Sequence, residues 1–216
     1  MSKILISGYY GFANAGDEAM LTAIIESLRQ VEKNVELTVL SGNPEDTAAK
    51  HQVCSVYRFN PLGIIQAMKD SELIISGGGS LLQDVTSKRS LLYYLSIIGL
   101  GKFFGKKVML FAQGIGPIRA KWARKLTSLV CNEADLITVR DSESAAELIE
   151  MGVKPEKITV TADSVLSLNP VTKECGQYLL QEAGVDLTKP VIGISVRPWS
   201  GDSQCFQVLA EAASKL

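Results

Sequence analysis

An α/β fold with a doubly wound, Rossmann-like parallel sheet is predicted by three observations. Short apolar runs alternate with helix-length segments along most of the chain, several of those runs end in glycine or polar turns, and the first thirty residues read as strand, glycine-rich turn and helix. Turns at the carboxyl ends of parallel strands, with helix N-termini behind them, are where such folds bind polar or anionic ligands.

The first strand is expected over Lys3 to Ser7 and the first helix over Ala19 to Val31, joined by Gly8-Tyr9-Tyr10-Gly11-Phe12-Ala13-Asn14-Ala15-Gly16-Asp17-Glu18. Gly11-x-x-x-x-Gly16 begins like a P-loop, but Asp17 and Glu18 stand where the phosphate-binding Lys and the Mg-binding hydroxyl belong. The spacing of Gly8, Gly11 and Gly16 does not make G-x-G-x-x-G either. Asp17 or Asn14 is available to cap the helix, with Glu18 complementing its dipole. Capping does not account for Tyr9, Tyr10 and Phe12 standing together in a polar turn; exposed aromatics beside Asn14, Gly16 and Asp17 suit a sugar face and its hydroxyls.

Further strands are expected over Val35 to Leu40, Val53 to Val56, Leu73 to Ser76, Val108 to Ala112, Leu136 to Val139 and Ile158 to Thr161. Helices are expected over Leu62 to Lys69, Leu81 to Phe104, Ala120 to Glu133 and Ser142 to Met151. Leu73-Ile74-Ile75-Ser76 runs into Gly77-Gly78-Gly79, which strips side chains from a strand end and lets a ligand reach backbone N–H groups. Gln113-Gly114-Ile115-Gly116-Pro117 repeats that punctuation after Ala112. Leu136 to Val139 delivers Arg140 at a strand's carboxyl end, with Asp141 or Ser142 as the next N-cap. The convergence of these turns on one sheet edge, more than any single motif, argues for a binding crevice.

After Ser164 the rhythm changes. Asn169-Pro170 breaks the chain, a helix-like stretch follows, and Val191 to Val196 reads as a new strand that ends in Arg197 and leads to a helical segment, Phe206 to Leu216. We assign residues 1–170 to a first Rossmann-like domain, 171–188 to a connecting segment and 189–216 to the start of a second domain that is incomplete here; the alternative is that the new strand joins the first sheet.

Composition narrows the partners. A formal net charge of −1 lacks the footprint of nonspecific nucleic-acid binding, and 46% hydrophobic with 21% charged residues is ordinary for a globular chain. Four dispersed cysteines form no C-x-x-C pair, so neither a metal site nor a disulfide framework is expected and a cytoplasmic setting fits. No leader is evident, and the stretch from Leu91 to Lys107 is too short and too interrupted by glycine to span a bilayer. A helix packed on the sheet is the reading adopted for it; peripheral contact with anionic lipid through Phe103, Phe104, Lys102, Lys106 and Lys107 is the alternative. The only histidine, His51, is read as a solvated loop residue. For an anionic substrate the candidates are Arg140 and Arg197, and for a sugar hydroxyl Asp17. Asp84 and Asp163 stand equally as loop-orienting groups or as reacting ones.

The motifs from Gly8 to Glu18, Ser76-Gly77-Gly78-Gly79-Ser80-Leu81-Leu82-Gln83-Asp84, Ala112 to Pro117, and Val139-Arg140-Asp141-x-x-Ser144 together resemble the polysaccharide pyruvyl transferase family, with the bacterial branch that modifies surface-layer-anchoring polymers as the nearest match. The resemblance implies the N-terminal half of a GT-B-like two-domain fold. It further implies transfer of the carboxyethylidene group of phosphoenolpyruvate onto two hydroxyls of a sugar, N-acetylmannosamine in that branch. The expected acceptor is a lipid-linked precursor at the inner membrane face, and no metal, nucleotide or cofactor is required. The general acid is expected to be a histidine of the second domain, beyond this chain, so the 216-residue chain is expected to be inactive alone. Tyr10, Asn14, Gly16, Asp17, Gly78, Gly79, Gln113, Gly114, Arg140 and Arg197 are the expected substrate contacts. Asp17 and its neighbours are placed on the acceptor side, and Arg140 with the later glycine turns on the donor side. A GT-B glycosyltransferase using a nucleotide sugar and a non-catalytic glycan-binding module are the competing readings.

Overall fold

The computed structural model describes residues 2–85, 87–194 and 203–214. The chain divides into two compact units, Met1–Leu168 and Asn169–Leu216. The first holds an eight-stranded sheet whose paired strands are all parallel.

In chain order its elements are β1 (Lys3–Tyr10), α1 (Ala15–Val31), β2 (Glu36–Ser41), α2 (Pro44–His51), β3 (Cys54–Tyr57), α3 (Pro61–Asp70), β4 (Leu73–Ser76), β5 (Gly79–Leu82), α4 (Lys88–Phe103), β6 (Lys107–Ile115), α5 (Lys121–Glu133), β7 (Leu136–Val139), α6 (Ser142–Glu150) and β8 (Ile158–Val160). The strands lie side by side as β3-β2-β1-β4-β6-β7-β8, with β5 paired to the far end of β6. The chain therefore moves outward from β1 through β2 and β3, then returns to the other side of β1 with β4. That reversal puts the topological switch point between β1 and β4, where connections leave on opposite faces and a crevice opens at the carboxyl ends.

Alternation along the strands builds two cores. Ile4, Ile6 and Ile75 face one side, where Leu21, Ile24 and Ile25 of α1 cover them. Leu5 and Ile74 face the other, against Ile64 and Met68 of α3 and Leu91, Tyr94, Leu95 and Ile98 of α4. Burial on both faces is why these strands read as continuous apolar runs. Helix α4 comes so close to the sheet that a Cβ on Gly101 would sit 2.7 Å from Ile74 Cδ1.

Three expectations are corrected. β1 continues past Ser7 to Tyr10 through an irregularity in its pairing with β2, so Gly8-Tyr9-Tyr10 is strand and not turn. The helix expected over Leu81 to Phe104 begins only at Lys88, and Gly79–Leu82 is strand β5. The cause lies in β6, which runs on to Ile115 and offers Gln113 and Ile115 as pairing partners to Gly79 and Leu82. His51 belongs to a helix missed in the sequence, α2, whose signals are Asn43 as N-cap and Pro44 behind it.

The second unit contains α7 (Lys173–Glu182) and α8 (Ser203–Ala213). Residues 191–194 of the strand expected over Val191 to Val196 carry no strand pairing, and Ser195, Val196 and Arg197 lie outside the described residues. No helix among the described residues is long and apolar enough to cross a membrane. On the surface considered for lipid contact, Phe103 is 80% exposed, but Lys102 and Lys107 both pair with Asp135, at 2.7 and 3.1 Å.

Ile24→Ala removes a fully buried side chain from the α1 face and is expected to cost about 2–5 kcal/mol in urea unfolding, whereas Phe103→Ala is expected to stay within about 0.5 kcal/mol. Burial alone would raise the Asp135 carboxyl, but Lys102, the Val108 N–H and Lys107 outweigh it and hold the group down to about 2 from 3.8. A depressed folded-state pKa stabilises above the unfolded value and is lost as the pH falls through the folded one. Acid unfolding is therefore expected to steepen between about pH 4 and about pH 2, and Asp135→Asn to flatten that part of the profile.

Candidate functional site

The crevice is built from the carboxyl ends of β1, β4, β6 and β7, the first turn of α1, and the 3₁₀ turn Ser164–Ser167. All of it lies in the first unit.

Its floor is the glycine turn after β4. Gly77 donates to the Ser7 carbonyl at 2.7 Å, tying the turn to β1. A Cβ on Gly77 would collide with the Tyr10 hydroxyl, one on Gly78 would meet Met20 Sδ at 3.2 Å and Ser164 Oγ at 3.3 Å, and one on Gly79 would meet Asp17 Oδ1 at 3.3 Å. Gly79 also has φ 93°, open to glycine at no steric cost. Asp17 and Gly79, separated by some sixty residues in sequence, are thus brought together, with Met20 packed beside both Gly78 and Gly79.

Gln113 supports this floor from beneath. Its side chain is fully buried, and Nε2 donates to Ser76 Oγ at 2.6 Å, to the Ser76 carbonyl at 3.1 Å and to the Gly77 carbonyl at 3.2 Å. It positions the turn and offers no exposed surface to a ligand. Gly114 lies directly under Arg140, where a Cβ would come within 2.7 Å of the guanidinium.

Arg140 is one-third exposed and spans the upper wall. Its Nε donates to Asp141 Oδ2 at 3.3 Å, Nη1 to Asp163 Oδ2 at 3.2 Å and Nη2 to Ser80 Oγ at 3.2 Å. Two carboxylates share one cation, so an incoming anion must draw Arg140 away from them or bind on its open side. Asp141 also caps α6 through the Ser144 N–H at 2.7 Å, and the Ser144 bonds, followed by Arg140, hold its carboxyl below the usual range. Asp163 caps the 3₁₀ turn through the Val165 N–H. Asp84, considered for reaction, accepts the N–H groups of Arg119 and Ala120, which lower its pKa and pin the entry to α5.

At the opening turn the cap is Asn14, whose side-chain oxygen accepts from Gly16 N at 3.0 Å and Asp17 N at 3.3 Å. Tyr10 is corrected from exposed platform to core: it is fully buried, filling the space that Gly8 and Gly77 leave free, and among the described residues its hydroxyl has no hydrogen-bond partner. Burial, with Asp17, Tyr94 and Glu18 nearby, drives its phenol far above the ordinary value. Tyr9 and Phe12 do form a half-exposed platform, stacked with centroids 4.4 Å apart and planes at 14°. His51 is corrected as well. Its side chain is 9% exposed and its Nε2 meets Glu18 Oε2 at 3.3 Å, while Glu18 Oε1 accepts the Gly11 N–H at 2.8 Å. Arg197 lies outside the described residues.

Arg58 was missed. It follows β3 at the same edge as Arg140 follows β7, and the signal was available: a cation between Tyr57 and Phe59 at a strand's end. Among the described residues, no three His, Cys, Asp or Glu side chains are grouped to hold a metal ion.

Comparison with known proteins agrees with this architecture. The model of the polysaccharide pyruvyl transferase family matches residues 14–199. The crystal structure of Anabaena HepE in complex with UDP and glucose shares 14% identity at a TM-score of 0.60, over 98% of this chain and 58% of that one. A glycosyltransferase from Rickettsia africae gives 14% identity and a TM-score of 0.57, over 99% and 57%. The chain thus spans less than three-fifths of these neighbours' lengths, and at such identity the likeness is one of fold: a Rossmann-like unit of GT-B type. No match was found among the curated proteins.

Gln113→Leu keeps the volume but leaves the Ser76 and Gly77 carbonyls without their donor, and is expected to cost about 1–3 kcal/mol in denaturant unfolding.

Proposed function

Because this chain belongs to the polysaccharide pyruvyl transferase family, we propose that it moves the carboxyethylidene group of phosphoenolpyruvate onto two hydroxyls of a sugar in a polysaccharide precursor. The observation that carries this reading is the family match over residues 14–199, which includes the glycine turn and Arg140. The geometry supports it: bare backbone at a switch point, one partly exposed guanidinium above it, the Asp17 carboxylate beside Gly79, and a stacked, half-exposed aromatic pair at the end of β1.

In this reading the donor's carboxylate and phosphate lie against Arg140 and the Gly78–Gly79 backbone, with Arg140 exchanging an aspartate for the ligand. Asp17 accepts a hydroxyl of the sugar, whose face rests on Tyr9 and Phe12. Protonation of the donor's methylene carbon makes its C2 electrophilic, and one sugar hydroxyl adds there. The second hydroxyl then displaces phosphate and closes the ketal. One hydroxyl proton is balanced by the new methyl group and the other leaves with phosphate. The protein's task is to bind both anionic groups and to orient the hydroxyls. His51, held by Glu18, is not assigned the proton donor's role. N-acetylmannosamine, in a lipid-linked precursor, is the acceptor we propose, with phosphoenolpyruvate as donor and no cofactor.

The nucleotide-sugar reading is favoured by one observation, the fold shared with HepE, which was solved with UDP and glucose. Thermal unfolding separates the two, since only a ligand bound by the folded state raises the melting temperature. Phosphoenolpyruvate is expected to raise it, and UDP-glucose to leave it in place. Arg140→Ala is expected to raise the KM for phosphoenolpyruvate in a phosphate-release assay by ~10–100-fold, the loss of one charge-assisted contact. Unchanged KM and kcat would remove Arg140 from the donor site.

A further inference from the structure

Arg58 is 4% exposed, and among the described residues no carboxylate forms an ion pair with it. Its guanidinium lies among five aromatic rings, with centroids 4.3 Å away for Tyr93, 5.2 Å for Phe59, 5.4 Å for Phe12 and Tyr94, and 5.9 Å for Tyr9. Its polar contacts are long, 3.5 Å to the Gly8 carbonyl and 3.4 Å to the Tyr94 hydroxyl. Burial raises the Tyr93 phenol, and Arg58 and Ser7 beside its hydroxyl oppose that shift. Ser7 and Arg58 approach Tyr93 Oη, but too far or too bent for a normal hydrogen bond, so among the described residues Arg58 Nε, Ser7 Oγ and Tyr93 Oη are all buried with no hydrogen bond of good geometry. Two hydroxyls thus stand beside a buried guanidinium with its Nε–H free of a good acceptor, and among the described residues no acidic side chain forms an ion pair with it.

Ring faces compensate a buried cation only in part, and a water molecule would satisfy the hydroxyls while leaving the charge. The group that completes this arrangement is an anionic oxygen, which takes hydrogen bonds from both hydroxyls and from Nε–H. The surface around it indicates what carries that oxygen. Tyr9, Phe12, Tyr57 and Phe59 are each 41–61% exposed and form the rim around Arg58, a platform of apolar faces suited to a pyranose ring.

We infer that Arg58, Ser7 and Tyr93 form a subsite for the acidic group, phosphate or carboxylate, of a saccharide whose ring lies on the Tyr9–Phe12 platform. The inference rests on the acceptor side of the proposed function and adds a substrate class: the sugar that binds beside Asp17 carries, or is joined to, an acid. Arg58 is the selectivity element and Arg140 serves the donor.

The test is calorimetric titration of the protein with glucose, glucose 1-phosphate, glucuronate and inorganic phosphate, with no donor present. At least one of the two sugar acids is expected to bind tenfold or more tightly than both glucose and inorganic phosphate. Arg58→Met is expected to abolish that preference. Tyr93→Phe keeps the ring wall, removes one donor, and is expected to reduce the preference severalfold; it serves as the decisive variant if Arg58→Met fails to fold by circular dichroism. Equal affinity for glucose and its acids, phosphate binding as well as the sugar acids, no binding at millimolar concentration, or a preference that survives the folded variants would each overturn the inference. Acid-selective binding without phosphate release from phosphoenolpyruvate overturns only the pyruvyl-transfer reading. Transfer without acid selectivity overturns only this one.

Discussion

The close approach of three elements at the β1/β4 switch point is the constraint on which the rest of the site depends. Tyr10 from the end of β1, Met20 from α1 and Ser164 from the turn after β8 converge on Gly77 and Gly78; Tyr10 fills the place of a Gly77 side chain, and Met20 and Ser164 press on that of Gly78. At Gly77 glycine is a steric requirement, because a Cβ would collide with the buried Tyr10 hydroxyl; at Gly78 a Cβ would press on Met20 and Ser164 and is disfavoured more mildly. The result is a crevice whose bottom is a buried phenol and whose lining is backbone. A ligand can thus meet N–H groups directly, which is how parallel α/β sheets handle anions without spending a side chain.

Two arginines stand at the same sheet edge in opposite electrostatic states. Arg140 shares its charge between Asp141 and Asp163 and is one-third exposed. Arg58 is buried, ringed by aromatics, and leaves Nε unpaired. A partly exposed guanidinium already paired with carboxylates exchanges partners more cheaply than a buried one, because water reaches it and competes. A desolvated one holds a strong field and favours whichever anion fills its gap. The two positions therefore suit different tasks, Arg140 the exchange of one anion for another and Arg58 discrimination among them.

Much of the fold was legible because buried parallel strands are continuous apolar runs; β4 and β7 agree to the residue with the runs Leu73 to Ser76 and Leu136 to Val139. What failed depended on partners far away in sequence. Gly79–Leu82 has no pattern of its own to mark it as strand, and becomes one because β6 runs on to Ile115 beside it. Tyr10 read as an exposed aromatic because its neighbours are polar and glycine-rich, yet those glycines are what make room for its ring. Arg58 escaped notice because an arginine after a strand resembles any surface charge until the rings of Phe12 and Tyr93, distant in sequence, are seen to close on it. Arg140 and the glycine turn were legible as positions, each directly after a strand that its own apolar run marks.

The aromatic platform is carried by a strained turn. Gly11 at φ 77° and Ala13 at φ 56° flank Phe12, and a left-handed conformation at alanine costs about 1 kcal/mol or more. Such a turn persists only where its surroundings fix it. Glu18 supplies one anchor by accepting the Gly11 N–H while meeting His51 from α2. Gly42 supplies the second, since a Cβ there would lie 2.6 Å from the Phe12 ring. The histidine that read as a loop residue thus braces, through one carboxylate, the turn that carries Phe12 over Arg58. With the platform fixed before any ligand arrives, little ordering entropy is left to lose on binding, and whatever contacts a ligand makes there translate more fully into selectivity.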